Sequence, residues 1–397
     1  MIDEMLHSST AARTSGMVAA AEALGPLIEE HREALAEGPD LPRPVAEALI
    51  RAGLTQLWLP RALGGPETHP LEFVRVIEAL ARLDGSVAWC ATISSGGPSW
   101  IAGQLAAEPM RRLLPPGAMF AGCGSGKPTG SVTRDGEGWR VNGRWTWASF
   151  SRYSNIALLM CVEHEDGTPR MTAEGRPVLR GVVLPSEKVE VLGNWDSGGL
   201  RSSGSHDITC TDAWVPDDFT TGLDMPGRQP GPLYRLPMTT AAAIASLGVP
   251  LGIAAASIDD LVTLARTKVP FASDVPLCDQ ENVQLEVARA KTRLLAARAF
   301  AFEAIGSLWD TVSTGQAASV EQQALVRMAC WNAGEAGREV VGKMYAAAGS
   351  TAALEESRFS AQLRDVHAAC QHINFATRMM VTPGRILLGL EPKTPMI

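Results

Sequence analysis

The spacing of apolar residues changes twice along the chain, and this change limits the folds that the chain can adopt. Up to about Leu114 they recur every third or fourth position, as in Leu71, Val74 and Ile77, which is typical of amphipathic helices. From about residue 115 to 226 they alternate, which is typical of strands. The helical spacing returns after Leu233 and continues to Met380. The pattern predicts a mainly α protein with a central β domain.

Three domains follow from these limits. We expect an N-terminal α-helical domain over residues 1–116, a small antiparallel β domain over 117–230 and a C-terminal four-helix bundle over 231–397. Within the β domain, Asn142 and Gly143 have the turn chemistry of a tight hairpin. Breaks at 270–276, 313–319 and 348–352 divide the last segment into four long helices.

The composition excludes several classes of protein. The chain has 35 basic and 43 acidic side chains and a net charge of −8, whereas nucleic-acid-binding proteins concentrate positive charge. Its seven cysteines stand singly, so we expect neither a disulfide framework nor a metal site. The acidic N-terminus does not resemble a signal peptide, and the run from Ala241 to Ser257 contains Pro250 and is short for a membrane span. We therefore expect a cytoplasmic protein.

Several common motifs are incomplete. In the run AGCGSGKPTGS, Ala121 replaces the first glycine of a phosphate-binding loop and Pro128 replaces its Ser or Thr. His367 and His372 are five residues apart, so on the predicted helix they point about 140° apart and cannot bind one metal ion together. The serine-rich stretches lack the GxSxG context of a nucleophilic serine.

A resemblance to a known family extends over nearly the whole chain. It is carried by AGLTQLWLPRALGG (52–65), EALARLDGSVAW (78–89), NGRWTWASF (142–150), GLRSSGSHDITCTDAWVP (199–216) and AAGSTAALEESRFSAQLRDVHAACQH (347–372). These segments resemble the acyl-CoA dehydrogenase superfamily and, within it, the two-component flavin-dependent monooxygenases. The resemblance implies reduced FMN or FAD and O2 as cofactors, a separate NAD(P)H:flavin reductase as partner, a small-molecule substrate and a homotetramer.

The position of the catalytic base separates this branch from the dehydrogenases. In the dehydrogenases a glutamate stands nine residues after the Arg of an Arg-Asp pair, and here the ninth residue after Arg364 is Ile373. The alternative helix, TTAAAIASLGVPLGIAAAS, has no carboxylate before Asp259. His372 matches the histidine that the monooxygenases place beside the flavin. The resemblance therefore implies that His372 contacts the substrate as a catalytic residue.

Further residues match positions near the flavin in this branch. Ser149 matches a small hydroxyl that would bond flavin N5, which implies a catalytic as well as a cofactor-binding role, although Phe150 replaces the glycine that follows it in the family. The stretch Ser203, Gly204 and Ser205 matches a Thr-Gly-Ser sequence near the flavin, and Arg266, followed by Lys268, matches cations that bind its phosphate. Arg266 could equally be a solvated charge at a helix end.

Two indoles precede Ser149. Trp145 and Trp147 alternate with Ser149 on the predicted strand, so we expect all three on one face, where Trp145 would cover the flavin ring. The alternative is that these indoles belong to the core of the β domain.

The substrate region departs from some phenol-hydroxylating relatives. They carry a second histidine on an N-terminal helix, whereas no histidine occurs here between His69 and His164. Ser94 and Ser95 occupy that region and are predicted to contact the substrate. A larger aromatic or polyketide-like substrate, or an amine, remains open.

The predicted function is hydroxylation of an organic, aromatic or polyketide-like substrate through a flavin C4a-hydroperoxide, which the resemblance implies. One alternative is an FAD-dependent desaturase of the acyl-CoA dehydrogenase type, and another is a monooxygenase that N-hydroxylates an amine. A third is a helical binding protein that has lost its chemistry.

Overall fold

A computed structural model describes residues 16–114, 117–222, 229–271 and 273–392. Its first part is helical, and eight helices follow one another in the described residues before the first strand. They are α1 (Gly16–Glu22), α2 (Gly25–Glu30), α3 (Arg32–Glu37), α4 (Arg43–Arg51), α5 (Pro70–Leu83), α6 (Gly85–Gly96), α7 (Pro98–Ala102) and α8 (Ala107–Leu113). Together with the sheet and helices that follow, they confirm the predicted mainly α fold with a central β domain.

The central part is one sheet. Its strands are β1 (Gly122–Asp135), β2 (Gly138–Ala148), β3 (Ile156–Glu165), β4 (Thr168–Pro169), β5 (Leu179–Pro185), β6 (Glu190–Val191), β7 (His206–Pro216) and β8 (Thr220–Gly222). The order is β6-β7-β2-β1-β3-β5-β8, with β4 paired to β3. Because β1 and β3 run parallel, the sheet is mixed, and the prediction of an antiparallel sheet was wrong at this pair.

The hairpin between β1 and β2 also differs from the prediction. Asp135 pairs with Gly138, so the turn lies at Gly136, whose φ of +59° suits glycine. Asn142 and Gly143 lie inside β2, where the register with β7 shifts, and the Asn142 side chain accepts a hydrogen bond from the Asp212 amide. The dipeptide thus lies at a bulge within β2, and the Asn142 side chain bonds the neighbouring strand β7 instead of forming a turn.

The C-terminal part is again helical. It comprises α9 (Met238–Ser246), α10 (Gly248–Ala265), α11 (Glu281–Ser313), α12 (Val320–Ala348), α13 (Arg358–Ala369) and α14 (Val381–Leu387). The three predicted breaks fall between α10 and α11, between α11 and α12, and after α12. The helix expected to continue to Met380 instead ends at Ala369, and short 3-10 turns follow at Ile373–Phe375 and Thr377–Met380.

Two apolar cores hold these parts together. The larger core combines residues from both helical segments, from Ala21 to Phe375, and the smaller one lies within the sheet around Trp145 and Leu159. Within the described residues, the stretch Met238–Ala265 is long and apolar enough to cross a bilayer, yet 89% of its most apolar window is buried inside the protein. The chain changes from helix to strand between Leu113 and Gly122 and back to helix between Gly222 and Met238. The division into three domains at residues 116 and 230 stays a prediction.

Two carboxylates lie where the three parts meet. Asp84 caps α6 by accepting a hydrogen bond of 3.0 Å from the Val87 amide. Asp365 on α13 accepts a 2.7 Å hydrogen bond from the Leu200 amide in the β domain. Gly85 leaves room for this carboxylate, because a Cβ there would lie 2.6 Å from Asp365 Oδ2. Burial, and then the charge of Asp84, raises the pKa of Asp365 to about 7.

This pair predicts a pH-dependent stability. An unfolded aspartate has a pKa of about 4, so between about pH 4 and pH 7 the folded state holds a proton that the unfolded state has lost, and stability falls as pH rises. Asp365→Asn keeps an acceptor for the Leu200 amide and carries no charge. We expect it to raise the melting temperature at pH 8 by a few degrees and to change it little at pH 4, measured by circular dichroism.

Asp218→Asn is the matched control, because Asp218 is exposed and pairs with Arg112 on the surface. We expect the control to keep the pH slope of the wild type. Equal slopes in the wild type and Asp365→Asn would contradict the assignment.

Candidate active site

The indole of Trp89 connects all three parts of the fold. Trp89 lies on α6, and its Nε1 donates a 3.0 Å hydrogen bond to Ser149 Oγ at the end of β2. The same indole packs edge-on against the ring of His372, with 5.5 Å between the ring centroids. The two predicted catalytic residues are thus brought together by a third residue. Its motif was part of the sequence resemblance, but no role was predicted for Trp89 itself.

Three serine hydroxyls form a buried chain beside Trp89. Ser149 Oγ lies 2.6 Å from Ser205 Oγ, which lies 2.7 Å from Ser203 Oγ. The loop that carries Ser203 and Ser205 is held by Gly204, whose φ is +55° and whose amide donates to the Pro39 carbonyl. A Cβ at Gly204 would lie 2.5 Å from Asp40 Oδ1, so this position requires glycine. The structure therefore brings the predicted hydroxyls into one cluster.

Phe150 has a backbone conformation that favours glycine. Its φ is +64°, in the left-handed region, and its amide donates a 2.8 Å hydrogen bond to the Ser203 carbonyl. The side chain is buried in the large core. The loop thus keeps a glycine-like backbone, and burial of the ring offsets the strain.

The hydroxyl chain can run in either direction. Ser149 Oγ accepts one hydrogen bond from Trp89, and it either accepts a second from Ser205 or donates to it. In the first case Ser149 has a hydrogen to donate to a ligand, and in the second it has a lone pair to accept with. Ser149 is only 2% exposed, and its neutral hydroxyl can therefore bond a partner atom that is either a hydrogen-bond acceptor or a donor.

His372 lies after α13 rather than on it. Its Nδ1 accepts a hydrogen bond of 3.4 Å from the Asn374 amide, so the hydrogen of the neutral ring is on Nε2. Burial, and then the charge of Arg327, lowers the pKa of His372 to about 4. The ring is uncharged near pH 7 and offers an Nε2–H donor. His367 is exposed on α13, so the prediction that both histidines share one helix was wrong.

Asn374 holds the turn that orients His372. Its side-chain nitrogen donates to the Ala242 carbonyl and to Ser246 Oγ on α9, and its oxygen accepts from Arg327 Nη1 on α12. These contacts fix the turn that follows α13 against α9 and α12. Neither Asn374 nor Arg327 was predicted, because their partners are distant in sequence.

Trp145 does not share a face with Ser149. It is 0% exposed, its Nε1 donates to the Met160 carbonyl, and it packs in the core of the sheet. A bulge between Trp145 and Ala148 interrupts the alternation, and Trp147 within it has a φ of +63° and is 63% exposed. The prediction of one common face was wrong because the bulge reverses it, and Trp145 follows the alternative of a core residue.

Ser94 and Ser95 serve the fold. Ser94 Oγ donates to the Thr55 carbonyl and accepts from the Gly122 amide, and Ser95 Oγ donates to the Leu54 carbonyl and accepts from the Leu57 amide. Both residues are completely buried. This corrects the prediction that they contact the substrate, because their hydroxyls are occupied by backbone groups.

Arg266 lies at a distinct place in the fold. It caps the C-terminus of α10, is exposed, and makes no hydrogen bond to the serine cluster within the described residues. Nearby, Lys268 Nζ donates to the Ala348 carbonyl and to Thr351 Oγ1, at the edge of a groove of about 440 Å³ that Phe271 and Lys343 also line. In the described part of the chain, no group of three or more His, Cys, Asp or Glu side chains is arranged to hold a metal ion.

Comparison with known proteins identifies the family of this chain. The family described as acyl-CoA dehydrogenase, N-terminal domain, matches residues 11–119, and acyl-CoA dehydrogenase, C-terminal domain, matches residues 244–377. An indole-3-acetate monooxygenase of Acinetobacter baumannii is 28% identical over 350 residues, covering 88% of this chain and 87% of the relative. The oxygenase subunit HsaA of a flavin-dependent monooxygenase from Mycobacterium tuberculosis is 26% identical, covering 96% and 97%.

Solved structures share the fold. XiaF from Streptomyces sp., solved in complex with FADH2 and glycerol, has a TM-score of 0.87 at 20% identity and covers 99% of this chain and 100% of that chain. The family matches in both helical segments and the relatives along nearly the whole length confirm the predicted resemblance. The chain belongs to the acyl-CoA dehydrogenase superfamily and, within it, to the flavin-dependent monooxygenases that work as oxygenase components.

Proposed function

We propose that this oxygenase component hydroxylates an aromatic small molecule with reduced FMN or FAD and O2, in the cytoplasm, where a separate NAD(P)H-dependent reductase supplies the flavin. The observation that carries this proposal is the arrangement of Ser149, Trp89 and His372 without a dehydrogenase base. The position of that base is Ile373, and Asp259 forms an ion pair with Arg82. The aromatic substrate class is supported by the relative named for indole-3-acetate.

The flavin would be held by Ser149 at its ring and by Arg266 at its phosphate. When bound, reduced flavin supplies the electrons that activate O2. The residues fit this group, because Ser149 offers a neutral hydroxyl and Trp147, two residues before it in the chain, offers a broad exposed indole. Trp147 thus replaces Trp145 as the proposed stacking partner. Its indole already attracts the Lys127 ammonium, which lies 5.7 Å from the ring centroid.

Trp89 would act as a positioning residue. Its N–H fixes the Ser149 hydroxyl, and its ring, only slightly exposed, separates that hydroxyl from His372. A buried, uncharged hydroxyl keeps strong proton donors away from the flavin. His372, with Nε2–H as a donor, would hold an oxygen or nitrogen atom of the substrate and so orient its ring.

Trp147 and Trp145 provide a matched pair of substitutions. Trp147→Ala should weaken binding of FMN or FAD by roughly three- to tenfold through lost stacking, with little change in stability, because the side chain is exposed. Trp145→Ala should lower the free energy of unfolding by about 3–5 kcal/mol, because its indole fills the sheet core. Fluorescence titration of flavin and urea unfolding measure the two effects.

The milder variant Trp145→Phe keeps the comparison decisive if Trp145→Ala fails to fold. Normal flavin binding by Trp147→Ala, together with loss of binding by a folded Trp145→Phe, would return the stacking role to Trp145.

His372 provides the test of the reaction. The wild type, mixed with reduced FMN or FAD, O2 and indole-3-acetate, should form an oxygenated product. His372→Ala should lower the product per reduced flavin roughly tenfold or more while flavin oxidation continues, because the substrate is no longer oriented, and hydrogen peroxide should replace the product. Mass spectrometry of the product and a peroxide assay measure the ratio.

His367→Ala is the control, since His367 is exposed on α13, and its ratio should match the wild type. Equal losses in both variants would remove His372 from the site. Dye-linked oxidation of an acyl-CoA by bound FAD, without any oxygenated product from aromatic compounds, would establish the desaturase alternative instead.

We also propose that the working unit is a homotetramer. Within one chain Ser149 and Arg266 lie in different parts of the fold, and α14 with the residue after it exposes Val381, Leu387 and Leu388. Association would cover these apolar side chains and let two chains complete a flavin site. Sedimentation with flavin titration at decreasing protein concentration should show tetramers whose dissociation weakens flavin binding. A monomer that binds reduced flavin with undiminished affinity would contradict this.

A further inference from the structure

The guanidinium of Arg327 is buried without an anion. The residue is 1% exposed on α12. Its Nη1 donates to Asn374 Oδ1 over 3.3 Å and its Nη2 to the Thr239 carbonyl over 2.9 Å, both of which are neutral acceptors. Its Nε has no partner among the described residues, and no carboxylate of the described chain pairs with it. Arg327 is therefore an uncompensated positive charge in the interior.

A charge in this state is unusual within the same molecule. The buried carboxylate of Glu163, 2% exposed, is paired with both Arg170 and Arg180. Desolvation of a guanidinium is costly unless an anion and hydrogen bonds compensate it, and arginine cannot escape this cost by losing its proton. A ligand that brings an anion would recover that cost on binding.

The surroundings of Arg327 offer further unused donors. Trp331 lies four residues later on the same helix, so it shares the face of Arg327, and its Nε1 has no partner in the described structure. Thr240 follows the Thr239 that Arg327 contacts, and its buried Oγ1 is likewise unpartnered. A carboxylate accepts up to about four hydrogen bonds and matches the fork of a guanidinium. Because Arg327 supplies a single positive charge, a ligand group with a single negative charge would neutralise it.

Arg327 is next to the proposed reaction site. Asn374 contacts both Arg327 and His372. Its side-chain oxygen accepts a hydrogen bond from Arg327, and its backbone N–H donates one to His372 Nδ1. The charge of Arg327 also acts on the His372 ring. An anionic group bound at Arg327 would therefore belong to a molecule whose other end lies at His372 and Trp89.

We propose that Arg327 binds the carboxylate of the substrate, so that the substrates are aromatic carboxylic acids. This inference rests on the proposed function, because it assumes that His372 orients the molecule that is hydroxylated. Arg327 then sets specificity: the acid neutralises the buried charge, whereas a neutral analogue leaves it uncompensated.

The test compares an acid with its neutral amide. Indole-3-acetate, phenylacetate and benzoate, each with its primary amide, are titrated against the flavin-free and the flavin-loaded wild type. We expect the acids to bind roughly tenfold or more tightly than the amides. In Arg327→Gln this preference should disappear through weaker binding of the acids, with binding of the amides unchanged. Arg327→Lys should restore part of it, because it keeps the charge but loses the fork.

Stability separates this role from a structural one. Without ligand, Arg327→Gln should melt at or above the wild-type temperature, because it removes an uncompensated buried charge. Lys343→Gln is the control on the same helix, since Lys343 is exposed and pairs with Glu286 on α11, and it should keep the acid preference.

Each outcome decides the inference. Equal binding of acids and amides by the wild type, or loss of both ligands together in Arg327→Gln, would overturn it, and so would the absence of binding by all three acids. Hydroxylation of the amides as readily as the acids would overturn the role of Arg327 and leave the proposed function intact. Selective binding of acids without hydroxylation would support Arg327 as the anion site and contradict the proposed reaction.

Discussion

The hydrogen bond from Trp89 to Ser149 is the contact on which the candidate site depends. It joins a helix of the N-terminal part to the residue that follows β2, and the same indole packs against His372 in the C-terminal part. The helix that carries Trp89 is fixed at both ends, by the Asp84 cap and by the buried hydroxyls of Ser94 and Ser95. A displacement of α6 would therefore break the contacts of Trp89 with both Ser149 and His372.

Two groups of ionisable side chains flank this contact. Asp84 caps the start of α6, and its charge raises the pKa of Asp365 on α13, whereas Arg327 has no anion among its partners in the described residues. Each lowers stability in the chain alone, whereas most of the interior pairs its polar groups. For Arg327, this cost agrees with the proposed binding of a carboxylate.

The superfamily scaffold accommodates different chemistry with few changes. The residue at the dehydrogenase base position is Ile373, 41% exposed, and the neighbouring His372 is a neutral ring with a hydrogen-bond donor. Substitution of a carboxylate by an apolar side chain removes proton abstraction from that place. The turn held by Asn374 places the adjacent imidazole against Trp89, so one step along the backbone from the former carboxylate position there is a neutral hydrogen-bond donor.

The sequence by itself determined the order of helical and strand segments, the breaks between the long helices, and the family, and it predicted Ser149, Ser203 and His372 as site residues. Periodicity records which face of an element is buried, and motifs record residue types at fixed spacing. Neither records which distant group a side chain meets. Only the tertiary structure decided that β1 pairs in parallel with β3, that a bulge turns Trp147 outward, and that the Ser94 hydroxyl forms hydrogen bonds with backbone groups. The same holds for Trp89 and Arg327, whose partners Ser149 and Asn374 lie 60 and 47 residues away in the chain, because long-range hydrogen bonds are set by packing rather than by local pattern.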